Sequence, residues 1–322
     1  MNLAKWFTVD VNLVVCLAAS WLIELALGSP RFLPKFSDIA GRFVKASADK
    51  ALVMTGRTQN HRARAEKRAG VFLLIYIILF AAIATAVLLD FIKKLHPFLY
   101  YIFNVIILCR VINTRGAADI AAEARHKLRA EDTASIKRIV AGISKNCLDG
   151  IFAPMLYATL GVFIGIPTVF AIAYKSLAIM DEAIGHKSGE YNNLGWAAAK
   201  MDDAANYLPA RLCGLILPLL APFCGTGARG IARGFRATSE SNAARVFSNN
   251  YTSPNDAWPA AAFAGTLGIS IGSGDDIKIL HKQETQLREP ELKDIGKAIR
   301  LMFVSSAALL ALCCGALLYF SK

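Results

Sequence analysis

Residues 69–89 read AGVFLLIYIILFAAIATAVLL, a run of twenty-one residues without a charged side chain. A helix that crosses the roughly 30 Å hydrocarbon core of a bilayer needs about 20 consecutive apolar residues. Arg68 precedes this run, and Asp90, Lys93 and Lys94 follow it, so the nearest charges stand where such a helix would meet water. The run therefore predicts a transmembrane helix.

The composition of the whole chain agrees with a membrane protein. The 322 residues are 55% hydrophobic and 19% charged, whereas a soluble domain has about 25% charged and 45–50% apolar residues. This much apolar surface excludes an intrinsically disordered chain. Seven cysteines in a chain of this length also exclude a secreted disulfide scaffold.

Further apolar stretches predict an all-α, polytopic integral membrane protein with about five to six transmembrane segments. Besides 69–89, spans are predicted near 11–27, 97–110, 150–174 and 301–320. Two prolines in 150–174 indicate a kinked helix or a tight hairpin, and we prefer the hairpin. The stretch 207–224 contains Arg211 and three prolines, so we expect it to be re-entrant or buried within the bundle.

We treat 1–322 as a single membrane domain with 11–27 retained as an anchor. A cleaved signal peptide is the alternative for that first stretch.

The distribution of Lys and Arg predicts the orientation. Residues 29–68 carry ten Lys and Arg against three acids, and 110–148 carry eight against four. Because basic loops collect on the cytoplasmic side, both segments are expected there. The motif loops 181–206 and 226–300 are expected to join them, in a cell inner membrane. This topology, with contacts to anionic lipid headgroups, accounts for the net charge of +12, and no nucleic-acid partner is predicted.

The densest polar block is residues 181–211, DEAIGHKSGEYNNLGWAAAKMDDAANYLPAR. Ionisable groups held beside a membrane favour a functional role, although a solvated interhelical loop is the alternative. Neighbouring carboxylates are natural Mg²⁺ ligands, and Lys or Arg side chains contact phosphates. Adjacent residues on a helix point about 100° apart, so Asp202 and Asp203 are not expected to share one ion by themselves.

Two other motifs are candidates for binding sites. Residues 225–230 (GTGARG) match G-x-G-x-x-G, but no strand pattern precedes them and no acid follows at the required distance, so no dinucleotide site is predicted. Residues 253–259 (SPNDAWP) are interpreted either as a rigid structural turn or as a substrate contact.

Four segments in order along the chain resemble the CobD/CbiB family, the adenosylcobinamide-phosphate synthases of cobalamin biosynthesis. They are LGSPRFLP at 27–34, NCLDGIFAPMLYATLG at 146–161, YKSLAIMDEAIGHKSGEYNNLGWAAAKMDDAANYLPARL at 174–212 and SPNDAWPAAAFAGTLGI at 253–269. The resemblance implies a polytopic inner-membrane enzyme that joins aminopropanol, or its phosphate, to the propionate carboxylate of adenosylcobyric acid as an amide. ATP and Mg²⁺ are the expected cofactors, with none permanently bound, and other corrinoid-assembly proteins are possible partners.

On this resemblance we assign roles to the matching residues. The catalytic candidates are Asp181, Lys187, Asp202, Asp203 and Arg211, with Asp202 and Asp203 also the Mg²⁺ candidates. The substrate-binding candidates are Asn146, Asp149, Tyr191, Trp196, Asn206, Asn255 and Trp258.

Some positions depart from the family pattern. The family usually has acids where this chain has Ala141, Lys145 and Ala260. Their absence keeps open a non-catalytic relative that binds corrinoid or scaffolds its assembly. A small membrane transporter is a third hypothesis. It is disfavoured because the clearest spans lack ionisable residues at mid-membrane and no inverted repeat is evident.

Overall fold

The computed structural model describes residues 9–28, 36–55, 62–129, 132–185, 189–239, 253, 255–271 and 287–321. Within these ranges the protein is all α-helical, as the sequence predicts, and the one β feature is an isolated bridge between Ile269 and Arg288. Lys187, a catalytic candidate, lies outside the described residues.

The described helices follow one another along the chain. They are α1 (Val11–Leu27), α2 (Phe36–Thr55), α3 (Arg62–Leu95), α4 (Pro97–Val111), α5 (Arg115–Lys127), α6 (Thr133–Asn146), α7 (Ala153–Phe163), α8 (Pro167–Ile184), α9 (Trp196–Ala205), α10 (Tyr207–Leu219), α11 (Gly227–Ser239), α12 (Ala257–Leu267) and α13 (Leu292–Phe320). A π-helical turn (Cys147–Phe152) joins α6 to α7, and a 3₁₀ turn (Ala221–Cys224) follows α10.

Four helical stretches of the described chain are long and apolar enough to cross a bilayer. They are Ala63–Leu95, Pro97–Lys127, Thr133–Phe163 and Leu292–Phe320. Two shorter apolar helices, α1 and α10, accompany them. The helix starts follow from local chemistry: the Asp10 side chain accepts a hydrogen bond from the backbone N–H of Asn12 at 2.9 Å, and Pro97 opens α4 at the position where a missing N–H costs nothing.

The stretch 150–174 forms a hairpin rather than one kinked helix. Helices α7 and α8 are joined by residues 164–166 and pack along each other. Gly161 allows this close return, since a Cβ there would lie 2.6 Å from the Cα of Pro167.

The segments 181–206 and 226–300, expected as motif loops between the spans, are helical for much of their described length. The first contains α9, and the second contains α11, α12 and the start of α13. The polar residues concealed these helices, but the alanine-rich sequence of α9 (WAAAKMDDAA) has high intrinsic helix propensity.

Helix α12 (AWPAAAFAGTL) lies at the centre of the larger hydrophobic core. Ten of its eleven residues are buried, and Phe263 is one of the largest fully buried side chains. Small residues let α11 approach closely, because Gly265 of α12 lies directly against Gly234 and the carbonyl of Arg233. A smaller second core joins α2, α3, α8 and the 189–205 region. The candidate site lies where α6, α8 and α9 meet.

Candidate functional site

A cavity of about 310 Å³ opens between the π-helical turn, α8 and α9. Its polar lining consists of four acids, two lysines, two asparagines and a serine, namely Asp149, Asp181, Glu182, Asp202, Lys145, Lys175, Asn113, Asn146 and Ser37. We call this group the carboxylate cluster. Acids outnumber lysines in it, so the cavity favours a cation.

Local backbone geometry aims these side chains at one point. The π-helical turn inserts an extra residue into the otherwise continuous α6–α7 helix, a distortion common at functional sites, and Asp149 lies within it. On α8, Lys175 and Glu182 are seven residues apart and therefore share a helix face.

Asn206 ties the carboxylate cluster together. Its Nδ2 donates to Asp202 Oδ2 at 2.9 Å and to Asp149 Oδ1 at 3.4 Å. Its Oδ1 accepts from the Tyr174 hydroxyl at 2.9 Å, and the Tyr174 ring stacks on Tyr157 with 4.9 Å between centroids. Both ends of the buried amide are occupied, so it fixes the two carboxylates relative to each other.

Asp202 is the most perturbed acid of the cluster outside the membrane spans. Its side chain is buried, with 7% relative exposure, and its Oδ1 has no hydrogen-bond partner among the described residues. Burial raises the pKa of Asp202 to about 8, and the charges of Asp149 and Asp181 add to the effect. The carboxyl group is therefore mostly protonated at neutral pH unless a cation joins it.

Lys145 connects the cavity to the start of α12. Its Nζ lies 3.4 Å from Asp256 Oδ2 and 3.9 Å from Asp149 Oδ2. Burial raises the pKa of Asp256, while the Lys145 ammonium opposes that shift. One lysine thus neutralises part of the charge of Asp149 and of the buried Asp256, which come from different segments.

A second cluster forms where α9 and α10 meet the 253–259 turn, and we call it the arginine cluster. The Arg211 guanidinium lies 3.3 Å from the Tyr207 ring centroid and 4.9 Å from that of Trp258. Its Nη1 donates to Asn255 Oδ1 at 3.2 Å. Asn255 Nδ2 in turn donates to the carbonyl oxygen of Asp203 at 2.6 Å. The structure thus brings together two motif segments that are more than forty residues apart in the chain.

Asp202 and Asp203 serve different clusters. Asp202 faces the cavity, whereas Asp203 Oδ1 accepts a hydrogen bond from Ser253 Oγ at 2.6 Å. Adjacent residues on a helix point about 100° apart, which is why the two side chains face different clusters. The two acids therefore do not form a common metal site.

Within the described ranges, no group of three or more His, Cys, Asp or Glu side chains is placed to hold a metal ion. Mg²⁺, however, is usually bound by only one or two carboxylates, with water and substrate phosphate completing its shell. Asp149 and Asp181, two carboxylates that line the same cavity beside Asp202, fit that requirement.

Two substrate-binding candidates lie away from both clusters. The Tyr191 hydroxyl donates to Asp49 of α2, and the Lys67 ammonium lies 5.5 Å from the Trp196 ring centroid. Neither side chain lines the cavity. They join the polar block to α2 and α3 instead.

Sequence reasoning missed Lys175, Glu182, Asn113 and Asp256, and it treated Lys145 only as a departure from a pattern. A signal existed for the lysines. Lys145 stands four residues before Asp149, the spacing of a helical ion pair, and Lys175 is a lone charge directly after an apolar run. Asn113 and Asp256 are brought in by tertiary packing alone.

A sequence model of the family described as CobD/Cbib protein matches residues 136–302. The chain is 32% identical to the cobalamin biosynthesis protein CobD of Klebsiella pneumoniae, over 92% of this chain and 95% of that protein. The chain belongs to the CobD/CbiB family. It is also 30% identical to CobD of Pelobacter propionicus (91% and 92% covered) and 29% identical to CbiB of Salmonella typhimurium (92% and 94% covered). No solved structure matches the chain.

The resemblance drawn from the motifs is thus confirmed at the level of the family. The matched region of this CobD/CbiB protein contains most of the carboxylate cluster and every residue named in the arginine cluster. Two cavity residues, Ser37 and Asn113, lie before it.

Proposed function

We propose that this protein acts in cobalamin biosynthesis and joins aminopropanol, or its phosphate, to the propionate carboxylate of adenosylcobyric acid as an amide. Its relatives are named cobalamin biosynthesis proteins, which supports the pathway. The observation that carries the reaction is Asp202, a buried carboxyl whose pKa is raised to about 8 inside a cavity rich in acids.

Amide formation needs an amine that has lost its proton. An amino alcohol enters as an ammonium ion, and the excess of carboxylates in the cavity attracts that charge. A general base works best when its pKa lies near the working pH. Asp202 meets this condition, so we assign it the removal of the ammonium proton before the nitrogen attacks.

The cavity size assigns the smaller substrate to it. At about 310 Å³ it stands at the lower end of small-molecule sites, which suits an amino alcohol or its phosphate rather than a corrin macrocycle. Lys145 and Lys175 provide cations for a phosphate group. The corrinoid would then present only its propionate at the cavity.

ATP with Mg²⁺ would supply the activation that makes a carboxylate reactive toward an amine. Asp149 and Asp181 line the same cavity and would hold the ion, which leaves Asp202 as the base, with the two lysines toward phosphate oxygens. Asn206 keeps Asp149 and Asp202 side by side for these two roles.

The arginine cluster is proposed to contact the corrinoid. Tyr207 is 58% exposed, and the Arg211 guanidinium lies over its ring. The pair therefore forms a flat cation–aromatic surface that is accessible from outside the protein. Such a surface suits a large ring with polar side groups. Asn255 fixes the orientation of Arg211.

We place both clusters on the cytoplasmic side of a cell inner membrane, on the basis of the Lys and Arg distribution. A cysteine introduced at 187 is expected to react with an impermeant maleimide from the cytoplasmic side alone. Labelling from the periplasmic side would contradict this orientation.

One observation favours a non-catalytic corrinoid-binding or scaffold role as the second candidate. Lys145 forms ion pairs with Asp149 and with the buried Asp256, at a position where the family usually has an acid. These ion pairs leave fewer carboxylates in the cavity available to a cation.

Complementation separates the two candidates. A bacterial strain without its own CobD/CbiB protein should grow on cobinamide but not on cobyric acid. Expression of this chain is expected to restore growth on cobyric acid, whereas Asp202→Asn is not. If membrane-inserted wild-type protein supports growth on cobinamide alone, the synthase proposal fails and the scaffold role stands.

A further inference from the structure

Helix α2 has three distinct faces. Val44, Ala48 and Leu52 are buried in the smaller core. A second face carries exposed apolar side chains at helical spacing, namely Ile39, Phe43, Ala46, Val53 and Met54, and we call it the apolar stripe. The exposed Lys50 interrupts this face between Ala46 and Val53. A third face carries the charged residues Asp38, Arg42, Lys45 and Asp49. A helix in water that packs on a protein core needs only two faces, one apolar and one polar, so the stripe requires a partner of its own.

The position of α2 indicates which partner this is. The Phe43 ring stacks on Phe80 of α3, with 6.2 Å between centroids, and α2 packs on α3 through Leu73, Leu74 and Ile77. Phe80 is eleven residues beyond Ala69, the first residue of the uncharged run, which is about 17 Å along a helix axis. Helix α2 therefore lies beside the membrane-spanning part of α3 and not beyond its end.

The apolar stripe also continues the outer surface of α3. Phe80 and Tyr76 stack on each other at 6.0 Å, and both are more than half exposed. On α2, Val53 is 68% and Met54 75% exposed. Most residues in the apolar part of α3 are not buried within the protein, so an exposed side chain at this depth faces acyl chains. The adjoining stripe on α2 therefore faces acyl chains too.

We propose that α2 is inserted into one leaflet beside α3, and that its apolar stripe contacts phospholipid acyl chains. This differs from the expectation that 29–68 is an aqueous cytoplasmic loop. The proposed insertion of α2 does not depend on the proposed function. The two are adjacent in the structure, because Ser37 at the start of α2 lines the cavity and the inserted helix thus forms one of its walls.

Photo-crosslinking in proteoliposomes of phosphatidylethanolamine and phosphatidylglycerol tests the proposal. The photoreactive residue p-benzoylphenylalanine replaces Phe43, ring for ring, and in a matched control it replaces Arg42 on the charged face. After irradiation, mass spectrometry is expected to show phospholipid adducts on the full-length chain that are several-fold more abundant for the Phe43 position than for the Arg42 position.

Absence of lipid adducts at the Phe43 position would overturn the proposal, since the stripe would then not contact acyl chains. Equal adducts at the two positions would also overturn it, since lipid contact would then not be specific to the stripe. A covalent dimer formed through the Phe43 position in place of lipid adducts would also overturn it, because a second copy of the chain would then cover the stripe. Val53 makes no ring stack, so the same residue placed there tests the stripe if the Phe43 replacement disturbs folding.

Discussion

Asp202→Asn should remove a pH-dependent loss of stability. Because burial and the neighbouring acids raise the pKa of Asp202 from 3.8 to about 8, the folded protein holds this proton more tightly than the unfolded chain does. The resulting stability is fully present below about pH 4 and is lost as the pH rises through 8. An asparagine cannot ionise, and its amide oxygen can still accept the hydrogen bond from Asn206.

The magnitude follows from the pKa change. A shift from 3.8 to about 8 corresponds to at most about 6 kcal/mol, and we expect about 2 kcal/mol because the cavity admits water and counter-ions. Thermal unfolding in lipid nanodiscs, followed from pH 5 to pH 9, is the assay. The apparent Tm of the wild type should fall by several degrees more than that of Asp202→Asn, and Mg²⁺ at pH 9 should recover the loss in the wild type alone.

Asp203→Asn is the matched control, since it removes the adjacent carboxylate, which faces Ser253, and should leave the pH dependence as in the wild type. The reasoning is refuted if wild type and Asp202→Asn lose stability in parallel, or if Asp203→Asn abolishes the pH dependence equally well.

Three further outcomes are expected. Asn206→Ala should lower the free energy of unfolding by about 2–3 kcal/mol in chemical denaturation, because it leaves buried polar partners unpaired; a change near zero would contradict its bridging role. Arg211→Lys should fold normally yet fail to support growth on cobyric acid, since an ammonium cannot reproduce the flat contact with Tyr207, and normal growth would refute the assignment. Gly70→Ala should strongly lower the apparent Tm, since its Cβ would collide with the backbone carbonyl of Leu194, and an unchanged Tm would show that this contact is not close.

The sequence was sufficient for the helices that contain 69–89 and 301–320 because their signal is local. Uninterrupted apolar runs fix where a chain can cross lipid, and both stretches lie within helices long and apolar enough to do so. The stretch Thr133–Phe163 also meets that criterion but was not predicted as one span, because its first part lies in the basic segment 110–148. The helices α9, α11 and α12 were missed because alanine, glycine and polar residues break the apolar pattern, although helix formation there depends on backbone propensity and burial.

The residues of the two clusters were predictable in part, because the motifs that contain them are also local. The motif segments named most of the side chains, but their grouping depends on tertiary contacts: Asp202 and Asp203 are neighbours in sequence and belong to different clusters. The pairing of Lys145 with Asp256 joins residues more than one hundred positions apart, which no local pattern reveals.

The most direct test of the account is product formation by the purified protein in nanodiscs. With adenosylcobyric acid, isotope-labelled aminopropanol or its phosphate, ATP and Mg²⁺, mass spectrometry should detect a new corrinoid amide that carries the label, and Asp202→Asn should form almost none. Absence of that amide from folded wild-type protein, or its formation at the wild-type rate by Asp202→Asn, would contradict a synthase whose chemistry is centred on the carboxylate cluster.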